Sequence, residues 1–318
     1  MNAVLAPVDD ALSRVRSGLE RRVAALGGRI GDHLASDLGR PGKMLRARYA
    51  LLLGEALGVP QAASEAVARA AELVHSASLL HDDVIDNADT RRGAPTPNAL
   101  FGRTTGILMG DLAFTEGLSE AMDLGRPSVE ALVRAVREMT VGEIQEEFLQ
   151  GSLNVSVEGY YGVAARKTGA LFEWVGEALS LAATLPHRRS DPGRLGVGAG
   201  ILLQIVDDIH DFTLSKEVAG KEPGRDYFNG RLTLPGILAM DDEATRAEFM
   251  RLWAAKPKGE PEFKKMLCLL ESAGQLEAAR EKARELMKSL LPLVDALPEK
   301  ARAAELRMFM ELLFRREF

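Results

Sequence analysis

The sequence predicts an all-α fold, and three observations support this prediction. Apolar residues recur every three or four positions along most of the 318 residues, which is the period of a helix with one buried face. Runs of alternating β-branched residues, which would predict strands, are absent from the sequence. Gly and Pro separate the periodic segments, as they do where helices end. No linker-like composition interrupts the chain, so we expect one domain over residues 1–318.

The predicted helices begin and end at these breaks. Residues 8–39 hold one or two helices, with a kink or a join at Gly27-Gly28. Residues 216–231 form the longest polar, Gly-containing stretch and are expected to be a loop that could act as a lid. The other predicted helices cover residues 43–57, 61–86, 98–123, 127–150, 157–183, 190–215, 233–240, 242–255, 260–294 with a break near Gly274, and 298–316.

Composition places the chain among ordinary globular proteins. Hydrophobic residues make up 46% of the chain, enough for a sizeable core, and the net charge of −6 disfavours a general nucleic-acid binder. The single cysteine, Cys268, has apolar neighbours that predict a buried structural thiol. No apolar run approaches the roughly 18 to 20 residues of a membrane span, and no targeting pattern is recognisable at the N-terminus. We therefore expect a cytoplasmic protein without a transmembrane segment.

An acidic motif near the end of the predicted helix 61–86 is the strongest functional signal. Asp82, Asp83 and Asp86 occupy positions i, i+1 and i+4, which places Asp82 and Asp86 on one helix face with Asp83 beside them. Like charges at this spacing destabilise a helix by roughly 0.2–0.5 kcal/mol per pair, and the helix dipole also opposes acids at this end. A bound cation would offset both effects. Ligands that offer only oxygen suit Mg²⁺, which keeps several waters and bridges to phosphates.

The same spacing returns later in the chain. Asp207, Asp208 and Asp211 repeat the motif, again among apolar neighbours. Two other Asp-Asp pairs, at residues 9–10 and 241–242, lack an acid four positions after the first Asp and look like ordinary polar helix starts. We therefore interpret the two complete motifs as a metal clamp whose halves face each other, rather than as two solvated helix faces.

Basic and polar groups stand beside Gly or Pro breaks, where phosphates commonly bind. Lys43 and Arg46 lie one turn apart at a predicted helix start, whose free N–H groups also favour anions. The other candidates of this kind are Arg91, Arg92, Lys167, Thr168 and Lys221. No Ser-His-Asp signature, Walker A loop, dinucleotide-binding turn or Cys/His zinc spacing accompanies them in the sequence.

Taken in order, these motifs resemble the all-trans isoprenyl (polyprenyl) diphosphate synthases, and most of all their long-chain and geranylgeranyl members. The resemblance implies an all-α isoprenoid synthase bundle around a central cavity, usually a homodimer, with a magnesium cluster held between the two acidic motifs. It covers essentially the full chain. The segments that carry it are Gly42 to Arg46, His75 to Gly93, Gly110-Asp111, Gly142-Glu143, Arg166 to Thr168, Gln204 to Asp211, Gly220-Lys221 and Gly230 to Pro235.

The resemblance also implies the reaction. An allylic diphosphate loses pyrophosphate, the double bond of isopentenyl diphosphate attacks the resulting carbocation, and a proton is then lost, with the departing pyrophosphate as its usual acceptor. Mg²⁺ and cationic side chains would stabilise the charge on the leaving group.

The resemblance finally implies a role for each candidate residue. The metal ligands would be Asp82, Asp83, Asp86, Asp207 and Asp208, with Asp211 in support. The allylic diphosphate would be held by Arg91, Lys167, Gln204 and Lys221, with Thr168 also at the substrate, and isopentenyl diphosphate by Lys43, Arg46, His75 and Arg92.

Five positions depart from the family pattern, and three alternatives to this interpretation are considered. Pro41 and Met44 replace a Gly and a basic residue, Glu146 stands where Gln is frequent, Leu203 replaces Phe and Arg231 replaces Lys. None of these changes removes a metal ligand. The alternatives are a farnesyl diphosphate synthase, a class I terpene cyclase, which normally keeps one Asp-rich motif, and a non-catalytic subunit of a hetero-oligomeric synthase, which tends to lose motif residues.

Product length is expected to follow from the depth of the cavity below the first acidic motif. Ala77 and Ser78 lie one turn back on the same helix, and in the family a bulky aromatic at either place gives farnesyl diphosphate. Val74 and then Ala70-Ala71 continue this face, so roughly three turns, or about 16 Å, lack a large plug. We therefore predict a product of geranylgeranyl length or longer. Large aromatics elsewhere that could form the floor include Phe114 and Phe148.

Overall fold

Helices make up almost all of the described chain, which comprises residues 2–39, 43–91, 93–213, 223–256 and 259–315 of a computed structural model. The all-α prediction is thereby confirmed. In chain order the helices are α1 (Asn2–Ala24), α2 (Gly28–Gly39), α3 (Leu45–Ala56), α4 (Gln61–Ile85), α5 (Pro97–Phe101), α6 (Arg103–Met122), α7 (Arg126–Leu149), α8 (Val157–Ala164), a π-helix (Ala165–Gly169), α9 (Ala170–Ala182), α10 (Asp191–Thr213), α11 (Arg225–Asn229), α12 (Leu234–Asp241), α13 (Glu243–Trp253), α14 (Glu260–Ser272), α15 (Gln275–Asp295) and α16 (Lys300–Arg315).

The predicted breaks fall where helices end. Gly27 and Gly28 separate α1 from α2 with φ of +71° and +57°, a left-handed backbone that glycine adopts without strain. Gly274, with φ of +73°, separates α14 from α15 and confirms the break expected there. Helices α2 to α4, α7 and α10 begin and end within a few residues of the predictions. Helix α1 begins six residues earlier than predicted, and the π-helix divides the predicted helix 157–183 into α8 and α9.

Three local features differ from the predictions. Strands are present after all, because β1 (Thr90–Arg91) pairs antiparallel with β2 (Ala94–Pro95), and an alternating pattern cannot be recognised in two residues. The predicted helix 98–123 divides into α5 and α6 at Gly102, whose φ is +85°. The polar stretch predicted to be a loop contains the short helix α11, while its residues 216–222 lie outside the described residues.

Cys268 is exposed, so the prediction of a buried thiol is wrong. The apolar residues of α14 that face the core are Phe263, Met266 and Leu270, spaced by three and four. Cys268 lies two positions from both Met266 and Leu270, which on a helix is a rotation of roughly 200° away from the buried stripe. An apolar neighbourhood in sequence therefore does not make a helical residue buried.

Helix α4 runs through the core and packs against α6 most extensively, and also against α3, α1 and α9. Small residues allow this closeness: a Cβ added at Gly117 of α6 would lie 2.8 Å from Val74 Cγ2 of α4. A second apolar cluster, centred on Tyr227, Phe249 and Phe263, joins α11 to α13 and α14 beside the end of α10. None of the described helices has the length and apolar character needed to cross a membrane.

Candidate active site

The first acidic motif lies at the C-terminal end of α4. Asp82 and Asp83 belong to the last turn, and Asp86 is the C-cap, whose backbone N–H donates to Asp82 O at 2.8 Å. The chain then reverses at Asn87, with φ of +50°, and the β1–β2 hairpin returns Arg91 to the motif. The Arg91 guanidinium donates to both carboxylate oxygens of Asp83, at 2.7 to 2.9 Å. Asp83 is therefore a buried carboxylate whose charge is paired within the protein.

Both remaining acids of this motif meet other charges. Burial, and then Glu143, raise the pKa of Asp82 from its ordinary 3.8 to about 6. The two oxygens of Asp86 accept hydrogen bonds from Arg225 at 2.7 Å and from Arg231 at 2.9 Å. These two arginines lie in or beside α11, so the described part of the predicted lid, residues 223–231, is tied to the end of α4.

The second acidic motif lies on α10. Asp207 lines a cavity of about 410 Å³ whose wall Asp82 also forms, which brings one acid of each motif to the same space. Asp211 points elsewhere: it is 2% exposed, and its Oδ2 accepts the backbone N–H of Asp226 at 2.9 Å. The expected facing of the two motifs is thus made by their first aspartates.

Asp208 is held by neutral donors. Its Oδ2 accepts the Tyr160 hydroxyl at 2.6 Å, and its Oδ1 accepts the Gln204 side-chain amide at 2.8 Å. Burial, and then the negative charge of Asp226, hold the pKa of Asp208 well above its usual range, although the two hydrogen bonds act in the opposite direction. The Gln204 carbonyl oxygen in turn accepts the Thr168 hydroxyl at 2.7 Å. Asp208 lines a second, smaller cavity of about 130 Å³ beside the large one.

Lys167 stands between the two motifs, on the π-helix. Its ammonium group lies 2.7 Å from Glu143 and 2.5 Å from Glu146, both on α7. Burial alone would lower the pKa of Lys167, but Glu146 and Glu143 outweigh it and the pKa is raised, so Lys167 is a permanent cation. This close approach depends on Gly142, since a Cβ there would lie 2.6 Å from the Lys167 backbone N. A glycine is required again at Gly200, whose added Cβ would lie 2.6 Å from Gly169 Cα.

The large cavity is charged at one end and apolar along its depth. Its polar and charged lining comprises Arg46, His75, Ser78, His81, Asp82, Thr140, Glu143, Lys167, Thr168, Gln204 and Asp207. Its apolar lining comprises Val74, Ala77, Leu79, Ile85, Phe114, Val136, Met139 and Leu171. Val74 lies eight residues before Asp82 on α4, or about 12 Å along the helix. The apolar wall thus extends away from the charged end.

The residues predicted to hold diphosphates are only partly gathered there. Arg46, His75, Lys167, Thr168 and Gln204 line the large cavity, and the Arg46 guanidinium lies 5.5 Å from the Phe172 ring centroid. Lys43 is exposed just before α3. Arg91 is engaged with Asp83. Predictions for Arg92 and Lys221 fall outside the described residues.

The residues expected to set chain length do line the cavity, but its floor is shallower than expected. Val74, Ala77 and Ser78 form part of the wall. Ala70-Ala71 are fully buried against α6 rather than open to the cavity, so the three-turn path is wrong in its last turn. Phe114 lines the cavity from α6, whereas Phe148 is 83% exposed and cannot be a floor.

The protein alone does not complete a metal site in the part of the chain that the structure describes. Among the described residues, no three His, Cys, Asp or Glu side chains converge into a ready-made site. Yet Asp82 and Asp207 line one cavity, and Asp82 is a partly buried acid whose pKa is raised by loss of solvent and by Glu143. Excess negative charge among oxygen donors fits a hard divalent cation that completes its shell with water and substrate oxygens.

The sequence profile of the polyprenyl synthetase family matches residues 29–270. The chain belongs to this family. It is 31% identical to the octaprenyl diphosphate synthase of Escherichia coli (strain K12) over 261 residues, 81% of either chain. It is also 31% identical over 303 residues to the heptaprenyl diphosphate synthase component 2 of Geobacillus stearothermophilus, covering 94% of this chain and 93% of that one.

A solved structure supports the same fold. The polyprenyl synthase from Caulobacter crescentus CB15, complexed with calcium and isoprenyl diphosphate, superposes with a TM-score of 0.90 at 24% identity, over 99% of this chain and 97% of that one. Our polyprenyl synthetase is accordingly an all-helical prenyltransferase of a metal-dependent family.

Sequence reasoning missed several residues of this polyprenyl synthetase's candidate site. Glu143 enters the sequence analysis only as a family landmark, and Glu146 and Arg231 only as departures from the family pattern, although the three surround Lys167 and Asp86. Arg225 gave no signal, because its partner Asp86 lies 139 positions earlier. Tyr160 also gave no signal, because its partner Asp208 lies 48 positions later.

Proposed function

We propose that this polyprenyl synthetase condenses isopentenyl diphosphate with an allylic diphosphate to give a trans-prenyl diphosphate of geranylgeranyl length or longer. The observation that carries the proposal is the large cavity, which joins Asp82, Asp207 and Lys167 at one end to an apolar wall. The octaprenyl and heptaprenyl synthases among its relatives support a long product.

We propose Mg²⁺ as the metal, held by Asp82 and Asp207. When bound, the metal would act as a Lewis acid on the diphosphate leaving group and neutralise its charge. Mg²⁺ suits carboxylate and phosphate oxygens and keeps several waters, which agrees with a site that the protein does not complete alone. Asp83, Asp86, Asp208 and Asp211 already accept hydrogen bonds from protein donors, so we give them a supporting role.

The side chains of the enzyme would divide the remaining work. Lys167, Thr168 and Gln204 would bind the allylic diphosphate, and preorganised donors there would stabilise pyrophosphate as its charge grows. Arg46 and His75, in the same cavity, would bind isopentenyl diphosphate, with Lys43 beside them. The apolar wall would keep water from the carbocation. The departing pyrophosphate would accept the proton that is lost.

Product length would be set by the apolar end of the cavity. Ala77, Ser78 and Val74 leave space on α4, and Phe114 would stop the tail from the side of α6. We therefore expect Ala77→Phe to shorten the product, Ala77→Val to shorten it less, and Phe114→Ala to lengthen it.

The test of this proposal is a product analysis. Purified enzyme is incubated with labelled isopentenyl diphosphate in excess and with geranyl, farnesyl or geranylgeranyl diphosphate, with Mg²⁺ or with EDTA, and the dephosphorylated products are separated by chromatography. We expect alcohols of geranylgeranyl length or longer, and only with Mg²⁺. Farnesol alone would refute the product length, and no condensation with any primer would refute the reaction.

The basic residues allow a second test of the two substrate sites. Lys43→Ala and Arg46→Ala should raise mainly the KM for isopentenyl diphosphate, whereas Lys167→Ala should affect mainly the allylic substrate. If all three variants raised only the allylic KM, the assignment of the sites would be wrong.

We also propose that the enzyme is a homodimer. Apolar side chains are exposed along α6 and α7, where Leu108 is 60%, Ile144 48% and Phe148 83% exposed. Ile144 and Phe148 are four residues apart and share a helix face, and such a surface is typical of a subunit interface. Sedimentation of the purified chain should give twice the monomer mass, with Phe148→Glu shifting it to the monomer. Activity that appears only on adding another protein would instead indicate a two-component enzyme.

A further inference from the structure

Tyr160 lies outside both acidic motifs, yet it makes a short hydrogen bond to the second of them. It belongs to α8, is 8% exposed, and donates its hydroxyl to Asp208 Oδ2 at 2.6 Å. The residue lines the small cavity of about 130 Å³, on the far side of Lys167 and Gln204 from the large one. Tyr160 therefore contacts the second acidic motif from the side of the small cavity.

A continuous chain of hydrogen bonds leads from Tyr160 to the large cavity. Asp208 Oδ1 accepts Gln204 Nε2 at 2.8 Å, and Gln204 Oε1 accepts the Thr168 hydroxyl at 2.7 Å. Gln204 and Thr168 both line the large cavity. The Gln204 amide is thus fixed at both ends, with its nitrogen toward Asp208 and its oxygen toward Thr168.

The orientation of this amide depends on the Asp208 carboxylate, which has neutral donors as its hydrogen-bond partners. A buried carboxylate that loses one of two neutral donors is left with an unsatisfied oxygen, at a cost larger than that of an ordinary hydrogen bond. It can then rotate, and it no longer presents a fixed acceptor to Gln204. Residues that support a site in this way keep its functional groups within the narrow range that catalysis needs.

We propose that Tyr160 is a positioning residue: by fixing the Asp208 carboxylate, it orients the Gln204 amide and the Thr168 hydroxyl for the allylic diphosphate. This inference rests on the proposed function, because the substrate at Gln204 and Thr168 is the one named there. Under this proposal Asp208 also has a supporting role, as part of the same series of hydrogen bonds. Tyr160 itself does not touch the substrate.

The neighbouring tyrosine provides a matched control. Tyr161 follows directly in sequence, its ring centroid lies 5.8 Å from that of Tyr160, and it is only partly buried. Tyr160→Phe and Tyr161→Phe each remove one hydroxyl and leave the ring in place. We expect Tyr160→Phe to raise the KM for the allylic diphosphate by about 10-fold, the effect of one hydrogen bond to a charged group, with the KM for isopentenyl diphosphate within about 2-fold. Tyr161→Phe should leave both constants within about 2-fold of the original enzyme.

A double-mutant cycle distinguishes the orientation of Gln204 by Tyr160 from a purely structural role of Tyr160. In a Gln204→Ala background, Tyr160→Phe should change the allylic KM by less than about 2-fold, because the group that it orients is gone. Equal rises in both KM values, an unchanged allylic KM, or effects of the two changes that multiply would overturn the proposal. Melting temperatures of all variants identify any loss of folding.

The Tyr160→Phe and Tyr161→Phe variants are also compared by their affinity for pyrophosphate, a measurement that does not depend on turnover. Calorimetry with inorganic pyrophosphate and Mg²⁺ should show binding weakened by about 10-fold in Tyr160→Phe and unchanged in Tyr161→Phe. Equal affinities in the two variants would overturn the positioning role even if condensation is confirmed. Absence of condensation by the unmodified enzyme would refute the proposed reaction, while this binding difference would still decide the role of Tyr160.

Discussion

The two acidic motifs have the same spacing, but different groups contact their buried acids. In each, the first aspartate lines the large cavity, and the second, Asp83 or Asp208, is only 2% exposed. Asp83 is paired with the guanidinium of Arg91, whereas Asp208 accepts hydrogen bonds from Tyr160 and Gln204. The repeated spacing determines which way each acid points, because neighbouring helical residues differ by about 100° in direction. The chemistry around the buried acid is set by whichever element packs behind it.

The third acids show the same divergence. Asp86 accepts hydrogen bonds from two arginines that come from beyond the second motif. Asp211 accepts the backbone N–H of Asp226. A motif read from sequence therefore predicts acids at three places, but not whether a charge, a hydroxyl or a backbone group balances them.

The largest expected effect separates the cavity-facing acids from the buried ones. Asp82→Ala and Asp207→Ala should each lower kcat by about 1,000-fold or more, because each removes a ligand of the proposed metal, which contributes several kcal/mol to the transition state. Asp83→Asn and Asp208→Asn should lower kcat by about 10- to 100-fold, since they act through the groups that they hold. Steady-state kinetics measures this, and circular dichroism confirms the helical fold. Equal losses of kcat in all four variants would contradict the distinction between cavity-facing and buried acids.

A second effect distinguishes Asp83 from Asp208 through the stability of the protein. Asp83→Asn leaves the partly buried Arg91 without its charge partner and should lower the free energy of unfolding by about 3 kcal/mol. Asp208→Asn should cost less, about 1–2 kcal/mol, because its hydrogen-bond partners Tyr160 and Gln204 are neutral and no buried cation loses its partner. Urea denaturation of both variants gives the comparison. A larger loss for Asp208→Asn would contradict the different pairing of the two acids.

The smallest effect concerns Asp82 in the metal-free enzyme. Its pKa rises from 3.8 to about 6 on folding, so the folded state binds the proton more tightly and this group costs stability as the pH increases from 3.8 to 6. Above pH 6 the stability cost of the charged Asp82 no longer changes with pH. Asp82→Asn should therefore raise the melting temperature in EDTA at pH 7.5, by about 2–4 °C for each kcal/mol recovered, and bring no gain near pH 4. A variant that is less stable at pH 7.5 would contradict the burial of an uncompensated charge.

Much of the fold could be predicted from the sequence because its helices are amphipathic and are separated by glycine and proline. The features that were missed are those with no period to recognise: the two-residue strands at Thr90–Arg91 and Ala94–Pro95, and the π-helix at Ala165–Gly169. Cys268 was misplaced because an apolar run does not specify which of its residues face the core.

The candidate site could be predicted only where its chemistry repeats within the sequence. The aspartates are found from their spacing, and Lys167 from its neighbours in a family motif. Arg225, Arg231 and Tyr160 could not be assigned, because each acts on an acid 48 to 145 positions away along the chain. Such pairs are created by packing, and in a single sequence each member looks like an ordinary polar residue.

The central claim is that Asp82 and Asp207, one from each motif, hold one shared metal–diphosphate site. Calorimetric titration of inorganic pyrophosphate, with and without Mg²⁺, tests it on the original enzyme, on Asp82→Asn, on Asp207→Asn and on the double variant. We predict that Mg²⁺ tightens pyrophosphate binding by about 100-fold in the original enzyme, that either single change abolishes this gain, and that the double variant binds no more weakly than the singles. Retention of the gain in either single variant, or losses that multiply in the double variant, would contradict a shared site.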